Sequence, residues 1–113
     1  MILDPEFDAI ILGAPTYHHD MPIDMKKLFE TSAIKGINLK EKIGAAFGSF
    51  GWSGEAPKLL LEIMKNKFEM NIIAPPLLIK YTPDETMLDK CRTFGKTISE
   101  TLIRQVWSFF RKE

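Results

Sequence analysis

Two short apolar runs that lack polar alternation constrain this chain most. The first opens the stretch Asp8–Met21, DAIILGAPTYHHDM, and the second opens Lys42–Glu55, KIGAAFGSFGWSGE. Each run breaks abruptly into small, turn-forming and aromatic residues. A strand with one wet face alternates polar and apolar residues, whereas a strand without alternation is covered on both faces, as in a parallel sheet. The carboxyl edge of such a sheet is where connecting loops gather around a flat ligand. Run and loop therefore point to the same architecture.

The remaining segments fit between these strands. Phe7–Leu12 ends at Gly13 as the first strand. Pro22 suits the first turn of a helix, where a missing N–H costs little, and Gly36 is placed to close that helix after Lys35. Ile43–Phe50 is the second strand, with Gly44, Ala45, Ala46 and Gly48 allowing close approach. Ser53 or Gly54 opens a second helix whose apolar positions Ala56, Leu59, Leu60, Ile63 and Met64 recur at helical spacing. Met70–Tyr81 is a third strand region, interrupted by Pro75 and Pro76, which cannot donate ladder hydrogen bonds and so mark a sheet edge or an irregular entry. Thr82 or Asp84 caps a long final helix with the stripe Met87, Cys91, Phe94, Ile98, Leu102 and Val106. Right-handed crossovers set the three strands parallel and in sequential order, with two helices on one face and the last on the other. The first strand is then an open, apolar edge.

Bulk properties exclude several classes. The chain has 113 residues, enough for one domain (1–113) and too few for two. Its formal net charge is zero, which leaves no electrostatic footprint for nucleic acid or anionic lipid. A single cysteine, Cys91, rules out a disulfide scaffold, and its position on the helical stripe marks it as core. No apolar stretch reaches the roughly 20 residues that span a bilayer. The start, MILDPEFDAIIL, lacks the basic residues and cleavage site of a signal peptide. A cytoplasmic location is the expectation.

The candidate site lies in the two loops. Gly13 and Ala14 leave room for a ring, Pro15 stiffens the turn, Thr16 and Tyr17 offer hydroxyl and backbone donors, and Tyr17 adds a π-face. The second loop, Gly48-Ser49-Phe50-Gly51-Trp52-Ser53-Gly54-Glu55, again pairs glycines with a large aromatic. A heteroaromatic ring stacked on Trp52 gains roughly 1 kcal/mol beyond area burial. His18-His19-Asp20 invites a metal reading, but adjacent histidines diverge in most backbones, so these are read as loop residues.

DAIILGAPTYHHDMP followed by KIGAAFGSFGWSGEA resembles the flavodoxin-like FMN module of the flavodiiron proteins (A-type flavoproteins). In that family a (G/S)-(S/A)-P-T-(Y/H) loop and an IGAAFGSYGWSG-like stretch flank the isoalloxazine ring. The similarity runs from Phe7 to about the final helix, and GSFGWSGEA is its specific part. The resemblance implies that Ala14, Pro15, Thr16, Tyr17 and His18 line one side of a flavin. Ser49, Phe50, Gly51, Trp52, Ser53 and Gly54 would line the other.

The chain also departs from that family. It carries no T-x-T-x-N-T-like loop of the kind that holds the FMN phosphate at a helix N-terminus. Nor does it carry the family's first two strands and helices or its di-iron domain. The expected fold is thus α/β, a partial flavodoxin-like fold of three parallel strands lacking the first two βα units. The leading expectation is an FMN-dependent electron-transfer module without a self-contained catalytic site, served by a redox partner protein. The alternative is a cofactor-free oligomerisation or interaction domain. Its exposed first strand, Phe7–Leu12, and its final helix, with Trp107, Phe109 and Phe110, would then meet a second copy or an N-terminal half-module chain. A quinone or flavin reductase of flavodoxin type is the third reading, weakened by the same missing phosphate loop.

Overall fold

The computed structural model describes residues 6–16, 20–50, 54–80 and 84–111. Its elements run β1 (Ala9–Gly13), α1 (Ile23–Ile34), β2 (Ile43–Phe50), α2 (Glu55–Asn66), β3 (Asn71–Ile72), β4 (Leu77–Lys80) and α3 (Glu85–Arg111). All strand pairings are parallel. Strand β2 is central: Ala9 to Gly13 of β1 lie opposite Ile43 to Phe47 on one side. On the other side, β3 pairs with the start of β2 and β4 with its end.

The expected third strand is therefore one edge position occupied by two short pieces. Pro75 and Pro76 sit in the gap between them. Each proline removes a backbone donor, and the ladder to β2 stops where they fall and resumes at Leu77. The sequential order β1, β2, then β3 with β4, is the expected one.

The helices start and stop where local chemistry allows. Pro22 stands just before α1, and its carbonyl accepts the N–H groups of Met25 and Lys26 at 3.1 and 3.2 Å. After α1, Gly36 adopts φ +65°, and its N–H donates to Ala33 O while Ile37 N–H donates to Ser32 O. That left-handed residue closes the helix as the sequence predicts. Asp84 caps α3: its Oδ1 accepts the Met87 N–H at 2.9 Å. Thr82, the other predicted cap, lies outside the described residues.

Strand alternation separates two faces. Ile10 and Leu12 of β1 and Ala46 of β2 pack into a core with Leu28 and Phe29 of α1 and Ala56, Leu60 and Met64 of α2. Gly44 lies under Met64, and Gly48 under Pro57. Phe29 and Phe68 add a tilted ring pair with centroids 5.9 Å apart. The second face carries Ile43 and Ala45, buried together with Ile79 of β4 and Ile98 of α3.

Coverage of that second face is uneven. Helix α3 packs chiefly on β4. Of its predicted stripe only Ile98 is fully buried; Met87, Cys91, Phe94 and Leu102 are half-buried, and the Val106 side chain is outside what the structure describes. Toward β1 the sheet is open, with Ile11 and Phe47 each more than two-fifths exposed. Among the described residues, no helix is long and apolar enough to cross a membrane.

Candidate functional site

Both candidate loops leave the carboxyl ends of β1 and β2, which are adjacent strands, so their bases lie side by side. Three contacts join them. The Ala14 N–H donates to Phe47 O at 3.1 Å, continuing the ladder one residue past β1. Gly48 lies so near Ala14 that a Cβ built on it would stand 2.1 Å from the Ala14 carbonyl oxygen.

The third contact ties the first loop to the helix after the second. Helix α2 opens on Gly54, which has no side chain to satisfy the orphan N–H groups of the first turn. Thr16 supplies that cap from 40 residues away: its Oγ1 accepts the Ala56 N–H at 3.0 Å. A cap of this type is worth about 1 kcal/mol. Here it also fixes the spacing between the loops.

The predicted site residues distribute as follows. Ala14 is buried, Thr16 half-buried and Pro15 exposed at the first loop. Ser49 is exposed near the end of β2, Phe50 is its last residue, and Gly54 precedes α2. Tyr17, His18, Gly51, Trp52 and Ser53 lie outside the described residues, as does His19. The bases of both loops are thus brought together, while the aromatic residues read as flavin-lining are not described: Tyr17 and Trp52 lie outside the described residues, and so does the side chain of Phe50.

Asp20 has a structural task that sequence reading missed. Its Oδ1 accepts the Met21 N–H at 2.8 Å, and its other oxygen pairs with the Lys26 ammonium in the first turn of α1. The Lys26 hydrogen bond first, and the Met21 N–H second, hold the Asp20 carboxyl below its ordinary pKa. An acid two residues before a helix-starting proline, followed by a lysine one turn in, was the available signal. The first loop is therefore anchored at both ends, by Ala14 on β2 and by Asp20 on α1.

No family model matches the chain. Comparison with individual proteins is more informative. The type A flavoprotein fprA of Rhodobacter capsulatus is 37% identical over 98 residues, covering 86% of this chain and 22% of the relative. An archaeal flavodoxin structure superimposes with a TM-score of 0.75 at 38% identity, covering 86% of this chain and 66% of that one. Oxidised flavodoxin 1 of Bacillus cereus gives a TM-score of 0.76 at 29% identity, covering 85% and 67%. The chain spans less than a quarter of the length of the curated relatives it matches, and about two thirds of these flavodoxins.

Proposed function

We propose that this chain, a flavodoxin-like domain related to the flavodiiron proteins and flavodoxins, is an electron-transfer module that takes the isoalloxazine ring of FMN between its two loops. The observation that carries this reading is the Thr16–Ala56 hydrogen bond, which spaces the loops at the carboxyl edge of a parallel sheet. That edge is where open α/β sheets hold their ligands.

The flavin, when bound, supplies the electron chemistry; the chain supplies position and surroundings. Pro15 and Ser49 stand exposed at the two loop bases, available to border a planar ring. Tyr17, His18, Phe50, Gly51, Trp52 and Ser53 complete the proposed contact set, with Trp52 as the stacking surface. Ala14 and Gly48 hold the loop bases together behind them.

Neither loop carries a run of hydroxyl residues suited to phosphate. The FMN phosphate is accordingly held by groups outside these loops, and ring contacts alone set the chain's own affinity. Riboflavin, which lacks the phosphate, is then bound about as well as FMN. Parallel fluorescence-quenching titrations test this, with equal dissociation constants expected for the two flavins. A millimolar constant corresponds to only about −4 kcal/mol, so the absence of quenching by either flavin at about that concentration would reject ring binding. Tenfold tighter binding of FMN would instead reveal a phosphate site within the chain.

The cofactor-free interaction domain is the second reading. What favours it is the open second face of the sheet, with Ile11, Phe47 and Trp107 exposed.

A further inference from the structure

The first loop is held along its length. Its start is fixed to β2 by the Ala14 N–H bond to Phe47 O, and its middle to α2 by Thr16 Oγ1, which accepts the Ala56 N–H. At its far end Asp20 accepts the Met21 N–H and pairs with the Lys26 ammonium of α1. Only Tyr17, His18 and His19, outside the described residues, lie between the last two anchors. Four residue steps reach at most about 14 Å, so the spacing of anchors on two different helices bounds the course of this span. Tyr17 and His18 belong to the proposed ring contacts, and where α1 holds Asp20 therefore limits where they can stand.

The pairing of Lys26 is not the one its own helix offers. Glu30 lies four residues further on, the spacing at which opposite charges on a helix ordinarily meet, yet the ammonium is paired with Asp20. Asp20, Lys26, Glu30, Glu62 and Lys67 all line one groove of about 360 Å³ between α1 and α2. Glu30 and Glu62 present alternative acceptors in that groove, and Lys67 an alternative cation. Among these, the Lys26 ammonium takes the carboxylate that closes the loop.

We infer that Asp20 is a positioning residue for the flavin: its ion pair with Lys26 clamps the far end of the first loop in the conformation that receives the ring. The inference rests on the ring-binding reading and adds the loop's distal anchor to it. Asp20 acts through the loop and does not touch the ligand. Breaking the clamp lets the loop leave that conformation, and apparent affinity falls with the fraction of molecules ready to bind. Both side chains are partly exposed, and a pair of this kind is weak, so the loss is about two- to fivefold.

Riboflavin quenching titrations of the full chain test this, because an uncharged flavin loses no direct attraction when a protein charge is removed. Asp20→Asn keeps an oxygen for the Met21 N–H and removes only the ion pair; Lys26→Met removes it from the other side. Each raises the dissociation constant about two- to fivefold. The double variant loses no more than either single one, since all three lack the same pair. Glu30→Gln takes a carboxylate from the same groove and does not weaken binding. Titrations are run where each variant is fully folded by circular dichroism, so a role confined to stability leaves the constant unchanged. Wild-type quenching with an unaltered constant in Asp20→Asn and Lys26→Met overturns the clamp and leaves ring binding standing. A double variant weakened by the product of the two single effects overturns it as well. Absence of quenching in the wild type rejects ring binding itself, and the clamp's effect on the flavin with it. Should Asp20→Asn fail to fold, Lys26→Met, a change at an exposed position of α1, decides alone.

Discussion

Gly48→Ala tests the loop junction most directly. A Cβ at this position would lie 2.1 Å from the Ala14 carbonyl oxygen and 2.8 Å from Pro57 Cγ, where real Cβ contacts essentially never fall below 3.0 Å. Relief requires a movement of about 1 Å, and the wall that must move is backbone. That backbone is held by the Ala14 N–H bond to Phe47 O. Overpacking costs about 1–3 kcal/mol, and a weakened buried hydrogen bond adds about 1 kcal/mol. The expected loss is thus roughly 2–4 kcal/mol, a large part of the 5–15 kcal/mol typical of a whole domain. Gly13→Ala is the control, because its Cβ would meet the Phe47 ring at 2.2 Å, nearly as close. That ring is a side chain, 44% exposed, and can swing toward solvent. The control should cost less than about 1 kcal/mol. Neither glycine has a left-handed φ, so the gain from a less flexible unfolded chain is similar in both and cancels. Urea denaturation followed by far-UV circular dichroism measures the pair. If Gly13→Ala costs as much as Gly48→Ala, the distinction between backbone and side-chain walls is wrong.

Thr16→Val keeps the volume but removes the acceptor for the Ala56 N–H; it should cost about 1 kcal/mol, while Thr16→Ser retains most of the stability. Equal losses for the two variants, read by the same denaturation, would show that the hydroxyl oxygen is not the cap. Met64→Ala empties a fully buried position over Gly44 and should cost about 2–5 kcal/mol; a loss below about 1 kcal/mol would mean that α2 collapses onto the sheet. For Asp20, the folded carboxyl titrates below the unfolded one, so its contribution is present in full above the ordinary aspartate pKa and is lost as pH falls through the folded value. The stability difference between wild type and Asp20→Asn should therefore be level near neutrality and shrink in acid; a difference that grows on acidification contradicts the Lys26 pairing.

Local chemistry made most of the fold legible. Unalternating runs marked two parallel strands, but only β2 is largely buried; β1, expected to be covered on both faces, is half-buried to exposed because its second face is open. The proline pair marked a broken edge, and Gly36 and Asp84 marked helix ends. What sequence could not show depends on distant partners. The six-residue stripe of α3 reads as core, yet of its five described side chains only Ile98 is fully buried, because α3 rests mainly on the β4 side and leaves the β1 side open. Periodicity reports which face of a helix is apolar, not how much sheet lies beneath it. Thr16 is legible as a loop hydroxyl, but its bond to Ala56 exists only once β1 and β2 pair. Glu41 and Glu69, with φ 66° and 54°, occupy left-handed positions that no local preference of glutamate predicts. They are joined directly: the Glu41 N–H donates to Glu69 O at 3.0 Å.

The small residues at the strand ends require a different argument from the one their sequence suggests. Gly13, Ala14 and Gly48 read as space left for a ligand ring. In the structure the protein fills that space itself: the Phe47 ring occupies the volume above Gly13, and the Ala14 carbonyl that above Gly48. At Gly48 the smallness follows from packing two adjacent strand ends against each other and against α2, and would be required with or without a ligand. The case for a flavin therefore rests on the aromatic residues of the two loop sequences, Tyr17 and Trp52, and on the similarity to flavodoxins. The two roles are still coupled. Ala14 is fixed to β2 by its backbone N–H and Thr16 to α2 by its side-chain Oγ1, so a ring held between the loops would meet walls whose spacing is set before it arrives. Less ordering is then left to offset on binding. Thr16→Val should accordingly weaken flavin quenching by more than its stability loss predicts, whereas Met64→Ala, in the core below, should affect both only through folding.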